Sequence, residues 1–131
     1  MSAENVELVR RSFEALALRD EVLWDTIDPE IDVIDHDIPD AGDYHGHAGF
    51  GNWLQDWAEA WESWTMEARE FIDAGDSLVV VVFGMTARGR GSGADTMREN
   101  ATVNAVEDGR IRRVDYYSTK EEALEAAGLA A

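Results

Sequence analysis

The spacing of apolar residues predicts a helix over 4–19, with Val6, Val9, Phe13, Leu16 and Ala17 on one face and Arg10, Arg11 and Arg19 off it. A second, short helix is predicted over 20–27, with Leu23, Trp24 and Ile27 on one side. Asp28-Pro29 ends it, because proline crowds a helical backbone at the residue before it. Residues 30–38 alternate in an extended pattern. Ile31, Val33, Asp35 and Asp37 share one parity, and Asp32, Ile34, His36 and Ile38 the other. Pro39, Asp40, Gly42 and Gly46 mark 39–46 as a turn-rich loop. A broad stripe of Phe50, Trp53, Leu54, Trp57, Ala58 and Trp61 then predicts a helix over 47–63.

The second half reads as strands. Extended character resumes over 64–73, and Ala74-Gly75-Asp76 is a hairpin signal. Residues 77–88 are the clearest strand: Leu78 to Phe83 is apolar on both parities, as expected of a strand covered on both faces. A third long strand is predicted over 95–107, with Ala101, Val103 and Ala105 opposite Thr102, Asn104 and Val106. Asp108-Gly109 is a two-residue hairpin turn into a last strand over 110–117. A terminal helix over 119–127 is capped by Ser118 or Thr119, with Glu121 or Glu122 three residues on, and Gly128 closes it. This order predicts one α+β domain over 1–131: a strongly curved, mostly antiparallel sheet wrapped around about three helices from the first half, with a short helix at the C-terminus. Such a curved sheet wrapped on helices leaves a pocket between them.

Composition narrows the function. The 131 residues carry a formal charge of −17, which argues against DNA, RNA or anionic membrane as partners, because phosphates would repel the chain. An apolar content of 45% is too high for a disordered acidic chain. Cysteine is absent, which removes disulfides, thiolate metal sites and cysteine nucleophiles. No run approaches the ~20 apolar residues a bilayer span needs, and no signal pattern opens the chain, so a cytoplasmic location is the expectation. The charge is concentrated: residues 20–68 hold fourteen acids and no Lys or Arg, together with all five tryptophans, Trp24, Trp53, Trp57, Trp61 and Trp64. Most of these acids read as a solvated face.

Two motif-like features carry little. The run Gly89, Arg90, Gly91, Ser92, Gly93, Ala94 lacks a phosphate-loop lysine and a following helical pattern, so it reads as a flexible connection. His36, His45 and His47 beside Asp35, Asp37 and Asp43 do not set out a converging ligand set, and the series Asp28 to Asp43 lacks calcium-loop spacing. Neither a metal nor another cofactor is expected.

The opening helix ending in Arg19-Asp20, the acidic extended segment, Tyr44-His45-Gly46-His47-Ala48-Gly49-Phe50 entering the long helix, and the closing Asp108-Gly109-Arg110-Ile111, Tyr116-Tyr117 and Glu121-Glu122-Ala123-Leu124-Glu125-Ala126-Ala127-Gly128-Leu129 resemble the nuclear-transport-factor-two-like superfamily, most closely its SnoaL-like branch. The resemblance spans essentially the whole chain. It implies a conical fold whose open end admits a small apolar or aromatic molecule, and a homodimer formed through the sheet. Members include polyketide cyclases, ketosteroid isomerases and epoxide hydrolases, so fold alone does not choose an activity.

The cyclases and isomerases of that branch abstract a proton beside a carbonyl with one carboxylate, a role suited to an apolar pocket that raises a carboxyl pKa. The resemblance places this base nearest Asp37, with Asp35 second. The isomerases also donate two hydrogen bonds to the developing enolate, and the matching positions, near Phe13 and Ala101, have no side-chain donor. The epoxide hydrolases use an aspartate–arginine–aspartate set, for which Arg98, Asn100 and Asp115 are the candidates, but Asn100 is not a carboxylate. Matching the aromatic end of the last strand to Tyr117 turns Arg113, Asp115 and Tyr117 toward the pocket; the alternative phase turns Val114 and Tyr116 inward. Trp24, Trp53 and Trp57 are the candidates for pocket walls suited to flat aromatic or polycyclic ligands, against the reading of such a stripe as plain core. An anionic substrate would be repelled at the mouth unless Arg88, Arg98 or Arg113 lies inside. Two functional readings follow: an acid–base cyclase, isomerase or lyase using Asp37 or Asp35, with Asp115 holding a substrate hydroxyl, or a non-catalytic ligand-binding or accessory protein with the same pocket.

Overall fold

Every predicted element forms in the computed structural model, which describes residues 2–36, 44–89, 91 and 93–129. The helices are α1 (Ser2–Leu18), α2 (Leu23–Thr26), α3 (Gly46–Ala60) and α4 (Lys120–Ala126). The strands are β1 (Ile27–Asp35), β2 (Tyr44–His45), β3 (Trp61–Gly75), β4 (Leu78–Gly89), β5 (Asp95–Glu107) and β6 (Arg110–Tyr117). The boundaries of β5 and β6 are those read from the alternation, and the Asp108-Gly109 turn between them has both residues at positive φ, 52° and 76°. Thr119 caps α4 by accepting from the Glu122 amide.

One boundary moves. The helix expected to run to residue 63 stops at Ala60, and Trp61 is already extended, opposite Gly89. Pairing with β4 along nearly its whole length is worth more to residues 61–63 than another helical turn. Trp61 therefore leaves the helical stripe and belongs to a strand.

The six strands form one curved, unclosed sheet in the order β2-β1-β6-β5-β4-β3. All neighbours are antiparallel except β1 and β6, which run parallel. Pro29 lies where the β1–β6 register jumps between Ile27 and Asp32, the kind of irregularity a strand residue without an N–H occupies. The inner face packs on α1, α2 and α3 through Val9, Ile27, Ile31, Phe50, Val81 and Phe83. The outer face of β4 and β5 is covered by α4, where Val80, Val82, Ala101, Val103 and Ala123 are buried. Both faces of β4 are thus dry, which is why its apolar run shows no alternation. No helix among the described residues is long and apolar enough to cross a membrane.

Candidate functional site

Alternate residues of the inner face meet the helices without filling the space between them. A cavity of about 80 Å³ remains, walled by Phe13, Trp53, Trp57, Phe83, Met85 and Tyr116 among others. Its polar contributions come from Ser12, Thr102 and Asn104. Asn104 donates to the Val79 carbonyl and to Thr102 Oγ1, at 3.3 and 3.0 Å, which leaves the Thr102 hydroxyl proton free to point elsewhere. The volume is about half the ~150 Å³ void that holds a benzene ring. A single ring would need half-buried side chains such as Leu16, Leu54, Trp64 and Met66 to move aside, and a polycycle more movement than that.

Asp35 shares the inward parity of Ile31 and Val33 and is 5% exposed. The Trp53 indole N–H donates to its Oδ2 at 2.9 Å. Trp53 lines the cavity and meets Phe50 and Tyr116 edge-on, so the carboxylate sits directly behind one wall of the void. Its charge reaches Tyr44. Burial, the hydrogen bond that Tyr44 gives Asp56 at 2.8 Å, and the charges of Asp56 and Asp35 push that phenol up to about 12. Asp37, the first candidate base, lies outside the described residues.

The last strand takes the alternative phase. Val114 and Tyr116 line the cavity, and Arg113, Asp115 and Tyr117 point to the opposite face of the sheet. The register slips by one between Ala105 and Val106, and two adjacent tyrosines end β6, so matching from the wrong tyrosine inverts every residue. Asp115 and Asp35 therefore lie on different faces and cannot act on one substrate. On the outer face, Asp115 accepts from Arg113 Nε and Nη2, at 2.8 and 3.0 Å, and contacts His36 Nε2 at 2.9 Å. His36 stacks on Tyr117 with centroids 4.4 Å apart. Burial pushes the Asp115 carboxyl up, but hydrogen bonds from Arg113 and His36, with their charges, outweigh it and hold the group below the usual carboxylate range. A depressed carboxyl stabilises the fold above its unfolded pKa, and that stability is lost as pH falls through the folded value. Asp115→Asn is therefore expected to lower the melting temperature at pH 7, with the gap to the parent closing in acid; calorimetry across pH checks it.

Trp24 is not a wall of the cavity either. Its ring packs on His47 and Phe50, at 5.2 and 5.9 Å, while His47 Nε2 reaches the Ile27 carbonyl at 2.9 Å. These contacts pin the start of α3 to β1. His45 lies between Asp32 and Glu30, at 2.8 and 2.9 Å, and hydrogen bonds to both raise its pKa. Among the described residues no cluster of three or more His, Cys, Asp or Glu could hold a metal ion.

The sequence left open which phase of β5 turns inward, and offered only Arg98 and Asn100 as candidates from the phase that does. Ala101 faces α4, so the residues turned inward are its neighbours, and the inner parity runs Thr96, Arg98, Asn100, Thr102, Asn104. The Arg98 guanidinium lies over the Trp57 ring, 5.9 Å from its centre. The available signal was the run of small apolar residues Ala101, Val103 and Ala105 on its other parity, which suits a close-packed outer helix.

Residues 9–114 match the model of the SnoaL-like domain. Comparison with curated proteins gives no match. Among solved structures, TerC co-crystallised with polyporic acid is 19% identical with a TM-score of 0.76, over 95% of this chain and 98% of that one. A SnoaL-like polyketide cyclase, so described, from Jannaschia sp. CCS1 is 20% identical with a TM-score of 0.75, over 100% and 95%. An NTF2-like protein of unknown function from Burkholderia pseudomallei K96243 is 22% identical with a TM-score of 0.77, over 95% and 97%.

Proposed function

The chain belongs to the SnoaL-like domain family, and from that premise we propose that it takes a small aromatic or apolar molecule into the inner cavity and performs acid–base chemistry on it, as a cyclase, isomerase or lyase, with Asp35 as base. The observation that carries this reading is the buried Asp35 carboxylate bonded to Trp53, whose indole is itself a wall of the cavity. A carboxylate one side chain away from an apolar void needs only a rotation of that indole to reach a proton on a bound ring. TerC, a structural relative, was crystallised with a small molecule, which supports an occupant of that kind here.

A non-catalytic ligand-binding role is the second reading. It is favoured by one observation: among the described residues, the cavity lining includes no aspartate or glutamate. Native mass spectrometry of the purified chain, followed by turnover assays of each captured molecule with the parent and Asp35→Asn, separates the two. Conversion lost in the variant supports the enzyme. Conversion unchanged in the variant, or a bound molecule that never reacts, sinks it.

A further inference from the structure

Arg19 stands where a helix end ordinarily takes glycine. Helix α1 closes with the Asp20 amide bonded to the Ala15 carbonyl at 2.8 Å and the Arg19 amide to the Leu16 carbonyl at 3.1 Å, the two bonds of a Schellman turn. The residue at the turn has φ of +56°, left-handed backbone that is costly for a side chain with a Cβ. The other non-glycine residues with positive φ among the described residues, Asp76, Ser77 and Asp108, are short polar types in hairpin turns. A long cation has no such local excuse, so the reason for Arg19 lies in what its side chain reaches.

That side chain crosses to the start of β3. Its guanidinium lies over the Trp64 ring, 4.6 Å from the centre, and Nη2 donates to the Trp64 carbonyl at 3.4 Å. Indole is the ring that holds a cation best, and residues 20–68 contain no other Lys or Arg to take this place. Trp64 and Leu16 are both half-buried walls of the cavity. An exposed contact thus ties the end of α1 to β3 at two walls through which the void meets solvent. With about 80 Å³, the void admits a ring only after a wall has moved.

We propose that Arg19 is the latch of the cavity: it holds the Trp64 ring across the entrance, and a small apolar molecule enters or leaves when the guanidinium lets the ring swing. This rests on the reading of the cavity as a ligand site. Arg19 is then a positioning residue. It acts through Trp64 on the rates of entry and exit, and makes no contact with the bound molecule. The latch closes alike on the empty and the occupied cavity, so affinity does not depend on it.

The test is fluorine-NMR line-shape analysis of 4-fluorotoluene exchanging with the full chain, in the parent and in Arg19→Gly. Glycine suits the turn, so the variant is expected to melt at or above the temperature of the parent. It is expected to speed both association and dissociation by about three- to tenfold, the worth of one exposed cation–π contact with a long hydrogen bond, and to leave Kd within about twofold. Arg19→Lys, which keeps a charge but loses the planar fork, is expected to fall between the two. In a Trp64→Ala background, Arg19→Gly is expected to change the rates no further, because no ring remains to be held. Unchanged rates in Arg19→Gly, or faster exchange accompanied by a lower melting temperature, overturn the latch and leave the cavity as a ligand site. Binding of the probe to neither parent nor variant overturns both.

Discussion

Asp35→Asn is expected to cut turnover of any substrate the protein converts by about 10²–10⁴-fold, the usual contribution of a positioned general base. The same variant is expected to fold like the parent. Asparagine keeps a carbonyl oxygen where Trp53 Nε1 now donates at 2.9 Å, so the buried indole keeps its acceptor, while the side chain loses its basicity. Asp35→Leu removes the acceptor as well. Leaving the indole N–H unpaired in a site only 5% exposed is expected to cost about 1–3 kcal/mol. Steady-state kinetics beside urea unfolding checks the pair. Loss of rate in the asparagine variant with unchanged stability identifies a base. Loss of rate that appears only when stability falls identifies Asp35 as a structural anchor of Trp53.

The second large effect concerns the turn into α3. Gly49→Ala is expected to destabilise the protein by about 1–3 kcal/mol, the range of overpacking. An added Cβ would stand 2.8 Å from the Tyr44 carbonyl carbon and 3.1 Å from its Cα, and backbone atoms cannot swing aside. At roughly 4 °C per kcal/mol for a domain of this size, the melting temperature should drop by roughly 4–12 °C. Two residues along the same helix the sign reverses. A Cβ at Gly51 meets only Trp24 Cη2 at 3.8 Å, an ordinary contact, so Gly51→Ala is expected to stabilise by about 0.5–1 kcal/mol through the lower helix propensity of glycine. Differential scanning calorimetry of the two variants checks both signs. Equal shifts would mean that the close approach of α3 to Tyr44 does not constrain the helix. The consequence reaches the cavity, because α3 carries Trp53 and Trp57 and its entry angle sets where those rings stand.

The glycines of that turn illustrate what a sequence carries well. Gly46 and Gly49 sit inside the stretch that carried the family resemblance, and the structure supplies the reason: Gly46 has φ of +72° with Pro29 O close by, and Gly49 touches the backbone of Tyr44. The strand pattern was legible for a related reason, since burial on one or both faces writes itself into every second residue. What the alternation left open on β6 was direction. Its two parities hold Val114 with Tyr116, and Asp115 with Tyr117, so each ends in a tyrosine that could face a pocket. Choosing Tyr117 placed Arg113 and Asp115 inside, and the structure places them outside, paired with each other and with His36. On β5 the alternation likewise left the phase open between Ala101 with Val103 and Thr102 with Asn104, and the structure puts Ala101 and Val103 beneath α4. Trp24 was misplaced for another reason: it follows the core spacing, but its neighbours are the start of α3 and not the void.

By itself, then, the sequence determined the elements, their order and the presence of apolar faces, because these follow from local propensity and from short-range periodicity, while the family followed from the resemblance of its motifs. Only the tertiary structure decided which face of each strand meets the helices α1 to α3 and which meets α4. In a sheet covered on both sides, burial marks both parities alike, and the parallel pairing of β1 with β6 and the slip between Ala105 and Val106 arise from contacts between segments far apart in the chain. The cavity and the atoms that flank it belong to that second category, since a void exists only where three separate elements fail to meet.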